Sequence, residues 1–128
     1  MNAGEKIDFE TFYKNLHEKF PELKNNPVWE EWDWSNESCE QIVVISAVAR
    51  EMINWAENDD WRSVASMLAE IEYAFTKGSD PLVAYLGTDF TVTVMECKND
   101  SVRSRIKQMM GEKTFTAYQI NLRGYRES

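Results

Sequence analysis

The feature that most limits how this chain can fold is a pair of apolar stripes with one helical period, separated by four polar residues. Ile42, Ile45, Ala49, Met52, Ile53 and Ala56 form the first stripe; Trp61, Val64, Ala65, Leu68, Ile71 and Phe75 form the second. Recurrence every three to four residues places each set on one face of an α-helix. Asn58, Asp59 and Asp60 lie between them and suit a helix end followed by a cap. Two long helices joined by so short a connection must pack antiparallel. Ser38 with Gln41 three positions on fits a capping box at the start of the first helix. Gly78 is the expected stop of the second.

The flanking segments extend this pattern. Phe9, Phe12, Tyr13, Leu16 and Phe20 predict an earlier helix, with Asp8 as its cap and Pro21 as its stop. A short element starts at Pro27 and carries Val28, Trp29 and Trp32. PLVAYLGTDFTVTVMEC is two-sided. Thr91, Val92, Thr93 and Val94 alternate as in a strand, whereas Val83, Leu86, Phe90, Val94 and Cys97 fall at helical spacing. Ser79 or Asp80 before Pro81 resembles a helix start, so the segment is read as helix. Val102, Ile106, Met109 and Met110 lie on one face of a further helix closed by Gly111; Phe115, Tyr118, Leu122 and Tyr125 lie on the last. The expectation is an all-α fold: one helical domain over residues 1–128, with six or seven helices in successive antiparallel pairs. A short curved stack of helical hairpins is the natural packing.

Hydrophobic residues make up 43% of the 128, enough to fill a core without disulfides or metals. Cys39 and Cys97 are far apart and match no zinc or redox spacing; they read as buried thiols in a reducing compartment. MNAGEKIDFE has no apolar signal core, and the run from Ile42 to Val44 and past Ser46 is too short and interrupted to span a bilayer. The expected location is the cytoplasm. The formal charge of -8 is uneven: residues 1–97 hold 19 acids and 7 bases, whereas residues 98–128 hold 3 acids and 7 bases. An acidic body repels phosphate and attracts a basic partner, which argues against nucleic acid as the ligand. The C-terminal bases suit helix ends.

Catalytic machinery is hard to find. His17 is the only histidine and has no candidate nucleophile near it in sequence. The five glycines form neither a phosphate loop nor a dinucleotide fingerprint. Met109 and Met110 suit a core better than a soft metal site. Arg103, Arg105 and Lys107 lack interleaved aromatics. The expectation is a non-enzymatic protein with no metal and no cofactor. The most unusual segment is VWEEWDWSNESCE. Five carboxylates fall within the 11 residues from Glu30 to Glu40, among Trp29, Trp32 and Trp34. Indoles anchor protein interfaces, and surrounding charge steers encounter. Glu30, Glu31, Trp32, Asp33, Trp34, Glu37 and Glu40 are therefore the candidate partner-binding residues. Glu57, Asp59 and Asp60 either continue that surface or cap a helix.

In order, FYKNLHEKFPEL, WRSVASMLAEIEYAFTKGSD, PLVAYLGTDFTVTVMEC and SRIKQMMGEKTFTAYQINL resemble the small, acidic, all-helical immunity-type proteins of bacterial polymorphic toxin systems. The likeness covers Phe9 to Leu122. It rests on Phe20-Pro21, on the Lys77-Gly78-Ser79-Asp80 stop and on Gly111, which are packing and turn signals. Val94, Met95 and Glu96 stand where many such proteins carry Leu-Glu. The resemblance implies a toxin-neutralising protein; taken with the acidic body, the expected partner is a basic toxin domain, with a nuclease as a special case. The alternative reading is a helical adaptor or regulatory module outside toxin systems.

Overall fold

The computed structural model describes residues 6–21, 23 and 38–127, the side chains of 38–40 and 123–127 excepted. These residues form six helices and no strand. α1 is Phe9–Lys19, α2 Ser38–Glu57 and α3 Trp61–Lys77. α4 is the continuous run 80–95: Asp80–Tyr85, a π-helical turn Leu86–Phe90, then Thr91–Met95. α5 is Asp100–Met109 and α6 is Glu112–Glu127. No helix among the described residues is long and apolar enough to cross a membrane. The short element expected from Pro27 lies outside the described residues.

α1 starts where Asp8 accepts a hydrogen bond from the Thr11 N–H at 2.8 Å. Such a cap stabilises a helix by about 1 kcal/mol. The Thr11 N–H, followed by its hydroxyl, holds the Asp8 carboxyl below the usual carboxylate range. All five residues of the α1 stripe are buried, and Phe20 sets its ring 5.3 Å from that of Trp55 on α2.

The connection between α2 and α3 is a Schellman turn closed by an aspartate. Asp60 N–H donates to the Trp55 carbonyl at 2.8 Å, and Asp59 N–H to that of Ala56 at 3.0 Å. Asp59 takes the left-handed conformation, with φ at 65°. Aspartate tolerates this better than most residues. Asp60 then caps α3, accepting from Ser63 N–H at 3.2 Å and Ser63 Oγ at 2.8 Å.

Gly78 ends α3, for a reason other than a left-handed backbone. Its φ is -74° and its conformation extended. A Cβ there would collide with the Ala74 carbonyl oxygen. Ile7 pairs beside it: Ile7 N–H donates to Lys77 O and Ser79 N–H to Ile7 O, each at 2.8 Å. The start of α1 is thereby tied to the end of α3.

α2 packs against α3, α4 and α5, while α6 packs against α3 and α4. α4 is thus flanked by α2, α3 and α6, and Leu82, Leu86, Phe90 and Val94 are fully buried. Val83, expected on that face, is only half-buried; Leu82 takes its place. Four-residue steps drift around a regular α-helix, and the wider π turn absorbs that drift. Thr91 is also fully buried. Its Oγ1 donates to the Gly87 carbonyl at 2.8 Å, and Asn121 Nδ2 on α6 donates to the same carbonyl and to Thr91 Oγ1 at 2.8 Å. The interrupted ladder of the π turn is satisfied from outside. Thr88 and Thr93 also donate to the carbonyls four residues back, at 2.9 and 2.7 Å. Strand-like residues therefore sit in a helix with their hydroxyls bonded to its own backbone.

Candidate protein-binding surface

The residues singled out by sequence for partner binding are placed as follows. Glu30, Glu31, Trp32, Asp33, Trp34 and Glu37 lie outside the described residues. Glu40 is in the first turn of α2, its side chain outside the description. Glu57 closes the opposite end of that helix. Twenty residues of α-helix at ~1.5 Å rise put the two ends about 30 Å apart. Glu57, Asp59 and Asp60 therefore lie at the far end of α2 from Glu40. Two of the three also have local work: Asp60 caps α3, and Asp59 Oδ1 accepts the Trp61 Nε1–H at 2.8 Å. Arg105 covers the other side of this corner, its guanidinium 4.0 Å from the centre of the Trp61 ring. Such a stack contributes about 0.5–1 kcal/mol at an exposed site.

The basic C-terminal segment is partly spoken for. Arg103 pairs with Asp100 at 2.7 Å and donates to the Cys97 carbonyl at 2.6 Å. Cys97 itself is buried, as expected of a core thiol; the Cys39 side chain lies outside the description. His17 stacks on the Tyr13 ring at 4.3 Å, and burial pushes the Tyr13 phenol upward. Among the described residues no group of three or more His, Cys, Asp or Glu side chains is placed to hold a metal ion.

Two features stand out that sequence reasoning missed. The first joins α3 to α6. Glu72 Oε1 accepts from Thr114 N–H at 3.0 Å and Thr114 Oγ1 at 2.8 Å, and Oε2 from Lys113 N–H at 2.9 Å. These N–H groups belong to the first turn of α6, where no helical acceptor exists. Gly111 precedes that turn and has no side chain to cap it. It also makes room: a Cβ at Gly111 would lie 2.5 Å from the Glu72 carboxyl carbon. Partial burial pushes the Glu72 carboxyl up, but the hydrogen bonds from Lys113 and Thr114 outweigh it. The group is held below the usual carboxylate range.

The second feature is an open groove of about 560 Å³ between α1 and α3, lined by Asn15, Glu18, Lys19, Glu70 and Tyr73. Asn15 and Glu18 are three apart on α1, as are Glu70 and Tyr73 on α3, so each pair shares a helix face. Lys19 bridges the groove to Glu70. Tyr73 is 51% exposed, although its neighbour Ala74 is buried. Glu18 is exposed and forms no ion pair with another described residue. The available signal was Tyr73 itself, an aromatic that falls off the buried arc of its helix.

No known protein family, curated protein or solved structure matches this chain.

Proposed function

We propose that this chain is a binding protein of the immunity type, which neutralises a basic toxin domain by forming a stoichiometric complex with it. The acidic surface carries the reading. Residues 1–97 hold 19 acids against 7 bases. Within the described part of that stretch Glu18, Glu57, Asp59, Asp60 and Glu96 are all exposed. An outward-facing excess of this sign draws a cationic partner and raises its association rate. A nuclease is one toxin of suitable charge, because its active site is positively charged to hold phosphate.

The resemblance of residues 9–122 to immunity-type proteins points the same way. The decisive experiment is co-expression with a toxic C-terminal domain encoded beside this chain's gene. Growth should be restored, and the two proteins should co-elute at a fixed ratio. Unchanged growth inhibition by that domain would overturn the proposal.

A further inference from the structure

We propose that the groove between α1 and α3 receives an arginine side chain of the protein partner. The inference rests on the protein-binding reading above and names the chemistry of one contact within it. The groove offers three things to a guanidinium. Tyr73 presents an exposed aromatic face, on which a planar cation stacks. Glu18 presents a carboxylate with no cation on it from the described residues, able to take the guanidinium fork in two parallel hydrogen bonds. Asn15 adds an amide that can accept a further N–H.

The charge arrangement selects the sign of the guest. Lys19 is the cation among the described lining residues, and Glu70 holds it. Because Lys19 is committed across the groove, it neither neutralises Glu18 nor stands ready for an anion. Among its described lining residues the groove therefore carries two carboxylates against one lysine, with the uncompensated carboxylate on α1 and the tyrosine ring on α3. Lysine fits less well, since an ammonium neither stacks as a plane nor engages a carboxylate in a fork.

The test uses the full chain and three capped tripeptides, Gly-Xaa-Gly, in which Xaa is arginine, lysine or the uncharged isostere citrulline. Amide chemical shifts are followed by NMR during titration. The arginine peptide should give saturable shifts centred on Asn15, Glu18, Lys19, Glu70 and Tyr73. The lysine peptide should bind more weakly and citrulline not at all. Tyr73→Ala, an exposed substitution, should weaken the arginine peptide about two- to five-fold. Glu18→Lys should abolish its binding while leaving the far-ultraviolet spectrum unchanged.

Shifts spread evenly over the acidic surface, or equal responses to arginine and citrulline, would overturn the inference. If the peptide fails but the chain still neutralises a toxin domain, the groove assignment falls alone. If the peptide binds but no toxin is neutralised, the immunity reading falls and the groove stands.

Discussion

Glu72 is the residue whose removal should reveal most about how this fold is held. Glu72→Ala deletes three accepted hydrogen bonds, two from first-turn N–H groups of α6 and one from the hydroxyl of Thr114. Loss of a helix cap costs about 0.5–2 kcal/mol. Thr114 is fully buried, so its hydroxyl is left without this acceptor in a place water reaches poorly, which adds about 1–3 kcal/mol. Together these give about 1.5–5 kcal/mol, a large share of the ~5–15 kcal/mol that holds a typical domain folded. Glu72→Gln keeps an oxygen for Thr114 but turns an amide toward Lys113 N–H, and should cost about 1–2 kcal/mol.

Urea unfolding followed by circular dichroism measures both variants. The pH dependence has a definite sign. The folded carboxyl titrates below its unfolded value, so its stabilisation is complete once pH is above the ordinary glutamate range. It is lost as pH falls through the lower, folded value. Glu72→Ala should therefore flatten the acid limb of the stability profile. Gly111→Ala supplies the cross-check, because its methyl would displace the carboxylate. It should be strongly destabilising with Glu72 present and nearly neutral in Glu72→Ala. A loss below about 1 kcal/mol in Glu72→Ala, or additive effects of the two substitutions, would refute the clamp.

Three further outcomes are expected. Asn121→Ala removes the side chain that satisfies the Gly87 carbonyl and Thr91 hydroxyl at the π turn, and should cost about 1–3 kcal/mol in the same unfolding assay. Gly78→Ala drives a methyl into the Ala74 carbonyl, so the backbone between Lys77 and Ser79, which holds Ile7, must shift; hydrogen exchange should show early loss of protection at the Ile7 and Ser79 amides while the α2 amides stay protected. Replacing Glu30, Glu31 and Asp33 with lysine should slow association with a basic toxin domain and weaken its salt dependence, whereas Trp32→Ala should mainly speed dissociation; stopped-flow fluorescence separates the two. Unchanged rates in all of these variants would remove Glu30–Glu40 from the interface.

What the sequence revealed depended on how many neighbours each helix has. α1 lies at the edge of the fold, and its five-residue stripe is the buried set without exception. α2 packs against three helices, so the six-residue stripe describes it incompletely: Val44, Ala47, Val48 and Trp55 are buried, whereas Ile42 and Ile53 of the stripe are only half-buried. A single-face period cannot describe a helix covered on several sides. In α3 the stripe was slightly misphased. Ala65 is exposed, whereas Met67 and Ala74 are buried. In α4 the threonines gave a strand signal because β-branched side chains serve either structure. Their hydroxyl bonds to the preceding turn, and the Asn121 amide from a helix 30 residues later, are tertiary facts.

The same distinction governs the reading of charge. A sequence count treats all 22 carboxylates alike, yet the fold gives some of them structural tasks. Asp8 and Asp60 cap the helices they precede, which local order announces. Glu72 caps a helix 40 residues away, and nothing in its own neighbourhood says so; only Gly111, unable to cap, hints that a donor turn needs help. Glu70 holds Lys19, and in doing so leaves Glu18 as the outward charge of the α1–α3 groove. The part of the acidity available to a partner is what remains after these internal tasks are met. That remainder includes the exposed carboxylates Glu18, Glu57 and Glu96, which lie on different helices or between them. Charge so distributed steers a partner from a distance, but a specific grip needs a shaped contact beside it. Among the described residues the groove under Tyr73 combines the two.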